Sequence, residues 1–300
     1  MTEAFMNAGD EKENNQLPGD TAVKSPQGTE PPEKLIVEIE GYRFSNGALN
    51  GRAISLAREL PFTLFVNDRE VLSILTLPTH LKELFVGFLV AEGVLKERSE
   101  LKLVHVDYPS RIVRVEIDAP VERLEIVQKK GMLTSGCAGG MVFSVQTGLR
   151  SSYRPNRSTR IMISSVLARM KELDTFMGIY TVTKGVHAAS VANNDSTIKI
   201  QEDLGRHNAV DKIAGWCFLN DVDASDKFVL TTGRITSEVL IKASRSSFPL
   251  IVSRSSASSM AVHMAQQSNI DVITYVRAGR FNYFSSGGVE LVNDMEPVRQ

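Results

Sequence analysis

From residue 197 onward, short apolar runs alternate with segments of helical period, and this alternation limits the possible folds more than any other feature of the chain. Residues 197–200, 228–231, 250–252 and 271–275 read as strands, being brief apolar runs bounded by turn residues. Residues 207–219, 235–244 and 256–267 lie between them and read as helices. Strand and helix in regular succession predict a layered α/β lobe with right-handed crossovers. Just upstream, 161–173 predicts another helix with Ile163, Val166, Leu167 and Met170 on one face, and 179–183 and 186–191 predict two more strands.

The first third of the chain reads differently. A strand begins over 35–40, and 62–66 with 71–75 forms a strand pair turned at Asn67-Asp68. Thr79 is placed to cap a helix reaching residue 95, with Leu81, Leu84, Phe85, Phe88 and Leu89 at helical spacing. Two further strands, 101–108 and 112–117, complete a β-rich lobe. The expected organisation is a disordered polar tail over 1–34, a small β-rich lobe over 35–127, and a mobile cysteine loop over 128–142. An α/β cofactor-binding lobe over 143–288 and a short C-terminal tail over 289–300 follow.

Composition narrows the function. A formal net charge of -1 points away from nucleic acid. No apolar run reaches the ~18 residues of a membrane span, and the N-terminus lacks a secretory pattern. Two cysteines suit a reducing cytoplasm, and five scattered histidines without a CxxC pair predict no protein-ligated metal.

Polar residues gather where ligands bind in α/β sheets, at the carboxyl ends of strands. The turns in question are Glu202-Asp203-Leu204-Gly205-Arg206-His207-Asn208, Thr231-Thr232-Gly233-Arg234, Ser253-Arg254-Ser255-Ser256 and Arg277-Ala278-Gly279-Arg280. Helix N-termini attract anions, and arginine forks match phosphate oxygens. Any single turn is equally explained as helix caps and solvated surface, because Ser, Thr, Asp and Asn are preferred caps. Together the four predict a pocket for a large phosphate-bearing ligand. No GxGxxG follows a strand. Residues 131–138 have P-loop glycine spacing without its Lys-Ser/Thr, so phosphoryl transfer is not supported.

The two cysteines differ in setting. Cys217 shares a helix face with Val210, Ile213 and Ala214 and reads as a small buried hydrophobe. Cys137 sits in a glycine-rich loop, with Lys129 and Lys130 nearby to favour the thiolate. It is a candidate nucleophile, with an incidental loop thiol as the alternative.

The segment Glu202-Asp203-Leu204-Gly205-Arg206-His207-Asn208-Ala209-Val210-Asp211-Lys212 resembles the hallmark of the formate dehydrogenase accessory sulfurtransferase family (FdhD). Gly185-Val186-His187-Ala188-Ala189, Gly233-Arg234-Ile235-Thr236-Ser237-Glu238 and the run from Tyr275 to Tyr283 are similar to it as well, as is the block from Leu60 to Val94. The resemblance spans about residues 36–285. It implies an α/β fold with a three-layer α/β/α lobe of cytidine deaminase-like type, a smaller β-rich lobe, and a homodimer. It implies a sulfur carrier that takes a persulfide sulfur on Cys137 from a cysteine desulfurase. The sulfur then passes to the Mo-bis(molybdopterin guanine dinucleotide) cofactor, which serves formate dehydrogenase.

The family's cofactor-binding run falls here on Tyr275, Val276, Arg277, Ala278, Gly279 and Arg280, with Arg277 and Arg280 pairing phosphates. Asp203, Gly205, Arg206, His207, Asn208, His187, Gly233, Arg234, Ser253 and Arg254 are expected to line the same pocket, with Asp203 accepting from a guanine edge. A ligand with two nucleotide arms fits a pocket shared across a two-fold dimer. Deamination is disfavoured, since His187-Ala188-Ala189 lacks the glutamate of H-x-E and no PCxxC follows. The chain departs from the family at Gly140, where the second cysteine of a loop CxxC stands elsewhere. That departure leaves open a cofactor-escorting module without sulfur transfer, and a nucleotide-processing enzyme is the third reading.

Overall fold

The computed structural model describes residues 34–120, 122–123, 159–176 and 178–295. The expected N-terminal tail, apart from residue 34, and the cysteine loop 128–142 lie outside the described residues.

Strands β1 (Ile36–Ser45) and β2 (Ala48–Ala57) form an antiparallel ribbon in register from Ile36↔Ala57 to Ser45↔Ala48. Asn46 and Gly47 make its turn with φ of 53° and 80°, the left-handed pair that tight hairpins require. β3 (Leu60–Val66) and β4 (Arg69–Thr76) pair antiparallel across Asn67-Asp68, as the sequence predicts. The helix α1 (Leu81–Ala91) follows, then β5 (Leu101–Asp107) and β6 (Ile112–Ile117), closing a four-stranded sheet in the order β4-β3-β6-β5. Alternate residues Phe62, Leu64 and Val66 are buried, and they share one core with Leu84, Phe85 and Leu89 of α1. The cap of α1 differs from expectation. His80, at φ 52°, precedes the helix, and the Thr79 hydroxyl bonds the His80 ring at 3.0 Å instead of a helix N–H.

The remainder builds a six-stranded sheet. β7 (Arg160–Met162) leads into α2 (Ile163–Thr175), and a short helix α3 (Ile179–Thr183) precedes β8 (His187–Ala192) and β9 (Thr197–Asp203). Then come α4 (Arg206–Leu219), β10 (Phe228–Thr231), α5 (Ser237–Arg245), β11 (Leu250–Ser253) and α6 (Ser259–Ser268). β12 (Asp271–Arg277), β13 (Arg280–Phe284) and β14 (Glu290–Val292) end the order. The sheet runs β13-β12-β11-β10-β8-β9. Only β10, β11 and β12 are mutually parallel, while β8, β9 and β13 join antiparallel, so the sheet is mixed. Val229, Ile251 and Val272 face a core with Val210, Ile213, Val239 and Met264 of α4, α5 and α6. Phe228, Leu230, Leu250 and Val252 face the opposite core with Val166, Met170 and Leu173 of α2. Helices therefore cover both faces.

Two sequence expectations are corrected. Residues 179–183 are helical, not a strand. The Glu202 carboxylate accepts the Ile179 and Tyr180 N–H groups at 2.7 and 2.9 Å, satisfying helix-start donors from a distant strand. A Cβ on Gly178 would come within 2.2 Å of that carboxylate, so this approach needs glycine. Glu290–Val292, inside the expected C-terminal tail, pairs parallel with β7.

The two sheets are tied by α1 and α4. A Cβ on Gly87 would lie 1.8 Å from the Asp211 carbonyl oxygen, and one on Gly215 would lie 1.8 Å from that of Glu83. The helices thus cross backbone against backbone, which buries α1 nearly all round.

Candidate functional site

The carboxyl ends of β9, β10, β11 and β12 carry the four polar turns singled out in the sequence, and the structure sorts them into two clefts and a buried layer.

The first cleft, about 320 Å³, is lined by Asp174, Phe176, Tyr180, Lys184, His187 and Arg254, among others. Arg254 Nη1 donates to Asp174 Oδ1 at 2.9 Å, a pairing that raises the guanidinium pKa further. Lys184 Nζ lies 4.8 Å from the Tyr180 ring centroid, within cation–π range. His187 sits 3.4 Å from the Thr232 hydroxyl, and burial, reinforced by the Arg206 charge, holds its pKa below the usual histidine value.

The second cleft, about 780 Å³, is lined by Tyr275, Arg277, Ala278, Gly279 and Arg280 together with Ile163 and Leu167 of α2. Here β12 and β13 slip register between Thr274 and Arg277. Tyr275 has φ 56° and Ala278 φ 47°, both left-handed conformations that cost energy outside glycine. Such bulges re-aim side chains, and Tyr275 is 49% exposed while Val276 is buried. The strain presents Arg277 and Arg280 on an open turn. Arg277 Nε donates to the Arg254 carbonyl oxygen at 3.3 Å, so the two clefts share a wall.

Other predicted residues are spent inside the protein. Asp203 is fully buried. Its Oδ2 takes the Thr76 hydroxyl at 2.5 Å, the Leu77 N–H at 3.3 Å and Lys212 Nζ at 2.7 Å. Its Oδ1 takes the Gly205 N–H at 3.0 Å and the Asn208 amide at 2.8 Å. Five donors fill a carboxylate, which leaves no lone pair for a guanine edge. Asn208 also donates to the Leu75 carbonyl at 3.0 Å, so this knot fastens β4 to α4. Ser253 is buried as well, donating to the Gly233 carbonyl at 2.7 Å and accepting the Ser255 N–H at 2.8 Å.

Arg206 and His207 lie between these extremes. A Cβ on Gly233 would stand 2.7 Å from Arg206 Cβ, so the glycine makes room for the arginine stem. Arg206 Nε is buried without an acceptor, a donor that a bound anion would satisfy. His207 Nε2 lies 3.2 Å from Glu238 Oε2 and 3.4 Å from the Thr236 hydroxyl. Burial first, then the Lys242 and Arg206 charges, push the His207 pKa down to about 3. The ring is neutral at physiological pH, and its contact with Glu238 is a hydrogen bond, not an ion pair. Arg234 is exposed and lines neither cleft.

Cys137 lies outside the described residues. Cys217 is 4% exposed, and burial pushes its thiol up to about 12, so it stays protonated. Among the described residues, no group of three or more His, Cys, Asp or Glu side chains is placed to hold a metal ion. No helix among them is long and apolar enough to cross a membrane.

Phe176, Tyr180 and Lys184 escape the sequence reading because they sit in or beside the run that reads as a strand. Asp174 and Leu167 are visible there only as helix residues. Lysine and glycine at Lys184-Gly185, shortly before His187, are the one available signal.

Comparison with known proteins agrees with the sequence resemblance. The FdhD/NarQ family model matches residues 57–289. Sulfur carrier protein FdhD of Bacillus subtilis (strain 168) is 30% identical over 253 residues, covering 84% of this chain and 97% of its own. Sulfur carrier protein FdhD of Staphylococcus aureus (strain Newman) is 31% identical over 243 residues, covering 81% and 92%. Among solved structures, a protein described as a formate dehydrogenase accessory protein from Desulfotalea psychrophila is similar, with a TM-score of 0.70 and 26% identity over 84% of this chain and 97% of that one.

Proposed function

The chain belongs to the FdhD/NarQ family, and from that premise we propose that it is a sulfur carrier acting for formate dehydrogenase, with Cys137 as the carrying residue. The observation that carries the reading is the strained turn Tyr275–Arg280. It spends backbone energy to hold two arginines and an exposed ring over an open cleft, in a chain whose curated relatives are named sulfur carriers.

The donor is a cysteine desulfurase bearing a persulfide. The Cys137 thiolate attacks the donor's outer sulfur; the new S–S bond forms as the old one breaks, and the donor cysteine leaves as a thiolate. The acceptor is the Mo-bis(molybdopterin guanine dinucleotide) cofactor, whose phosphates pair with Arg277 and Arg280. Gly140 supplies no second loop thiol. Release of the outer sulfur as sulfide therefore uses an external thiol, which attacks the Cys137 sulfur and forms a mixed disulfide with it. A cytoplasmic homodimer completes the proposal. So does a cytidine deaminase-like layering, supported by helices on both faces of the six-stranded sheet.

Intact-protein mass spectrometry tests this after incubation with a cysteine desulfurase and cysteine. The wild type should gain a reducible mass of about 32 Da, one sulfur, and Cys137→Ser should gain none. No gain on either protein, with an active desulfurase, favours an escort that holds the cofactor without sulfurating it. A gain on both would transfer the role to Cys217.

A further inference from the structure

Exposed apolar surface is concentrated in one place. Of the thirteen large hydrophobic side chains exposed among the described residues, five belong to the β1–β2 ribbon and three to α3 and its approach. Single apolar side chains on a surface need no explanation, but eight gathered together mark an interaction site. The ribbon stands on α3: a Cβ on Gly185, just past that helix, would lie 3.9 Å from Ala57 Cβ at the end of β2. Among the described residues no third strand pairs with β1 or β2, and a lone two-stranded hairpin is marginal in water.

The surface has two parts. Tyr42 and Phe44 alternate onto one face of β1 near the tip, and Leu49 stands opposite Phe44 in β2. They are 74, 70 and 69% exposed. The second part is the seat at α3, made by Phe176, Tyr180 and Val182, which are 40, 38 and 56% exposed. At about 3.3 Å per residue, strands of ten residues carry the tip about 30 Å beyond the base. The tip therefore cannot fold back onto its own α3, and each part is left for another molecule.

We propose that the ribbon is an arm that grips a second copy of this chain, with its Tyr42, Phe44 and Leu49 tip seated on the other copy's α3; this rests on the homodimer of the proposed function and says where its contact lies. The chain that supplies a tip also supplies a seat, so a two-fold axis makes the exchange reciprocal and leaves neither part uncovered. A second copy is also present whenever the protein is, which a ribbon without a third strand requires. The area is sufficient. The four rings alone expose on the order of 400 Å² per chain. Doubled across the two-fold, with Ile39, Leu49, Leu56 and Val182 added, the total passes the ~1,000 Å² that a specific interface needs.

Size-exclusion chromatography with light scattering on the full-length protein, over a dilution series, reads the contact. The wild type should have twice the chain mass. Tyr42→Ser with Phe44→Ser should have the mass of one chain, its dissociation constant raised at least about a hundredfold, because aromatic anchors dominate such contacts. Leu49→Ser alone, at an exposed position, serves if the double variant does not fold. Val182→Asp, which puts a charge in the seat, should separate the copies in the same way. Mixed in equal amounts, the tip variant and the seat variant should form a dimer again, since the mixed pair keeps one intact tip on one intact seat. Variants that stay dimeric overturn the arm and leave the homodimer standing, with the ribbon open to a different occupant. Monomeric variants that do not pair on mixing overturn the seating of the tip on α3. A wild type that is monomeric at every concentration overturns both the arm and the homodimer.

Discussion

Lys212 Nζ lies 2.7 Å from Asp203 Oδ2 with both side chains wholly excluded from solvent. The ammonium also donates to the Glu202 carbonyl at 3.0 Å, and the carboxylate takes four further donors. Such a pair is tolerable only because every polar atom is engaged. Removing one partner strands the other charge in the interior. Lys212→Met should therefore cost about 3–5 kcal/mol of unfolding free energy, measured by urea denaturation. Asp203→Asn combined with Lys212→Met should recover part of that loss. A Lys212→Met protein as stable as the wild type would mean that the pair does not fasten β4 to α4.

The helix crossing makes a steric prediction. Neither Gly87 nor Gly215 has room for a methyl group, since a Cβ at either position would fall 1.8 Å from a backbone carbonyl oxygen of the facing helix. Overpacking ordinarily costs about 1–3 kcal/mol, and more where backbone must move. Gly87→Ala and Gly215→Ala should each lower the melting temperature by several degrees or prevent folding. Gly47→Asn is the control: its φ of 80° tolerates Asn better than most residues and nothing lies within 4 Å, so the effect should be small.

Glu202 acts on the first cleft through α3. Its carboxylate caps Ile179 and Tyr180, and no residue within the helix does that work. Glu202→Ala should free both N–H groups and cost about 1–3 kcal/mol. Amide hydrogen exchange should rise over 179–184 and stay low in β10 and β11. Unchanged protection over 179–184 would show that α3 forms without its cap.

That same residue explains where sequence reading stops. Residues 228–231 and 250–252 are legible as strands because both faces of a central strand are buried, which writes a continuous apolar run. Residues 179–183 are equally apolar and β-branched, but their helix is decided by a carboxylate some twenty positions away, a contact no local pattern records. β2 escapes notice although Asn46-Gly47 announces a hairpin, because an exposed ribbon shows no clean alternation. The arginines at 277 and 280 are visible from their turn chemistry. Their separation from Lys184 and Arg254 is not, since it depends on where α2 lies across the sheet. Asp203 and Asn208 look like ligand residues because a buried polar knot and a binding site use the same side chains.

The neutral His207 gives stability a definite pH dependence. Its pKa is about 3 in the folded chain against an ordinary 6.5, so the unfolded state binds the proton first as pH falls. The contribution is complete above 6.5 and is lost progressively between 6.5 and about 3. At about 1.4 kcal/mol per unit, this ring alone should remove on the order of 2 kcal/mol by pH 5. The groups facing it are Glu238, Thr236, Arg206, Lys242 and His187, and His187 is shifted the same way, so both rings act in concert. Unfolding free energies at pH 7 and pH 5 should therefore differ more in the wild type than in His207→Gln, which keeps a polar side chain and cannot titrate. His207→Gln should retain the smaller slope owed to His187. Identical slopes in the two proteins would mean that His207 is not held neutral, and that its contact with Glu238 is an ion pair after all.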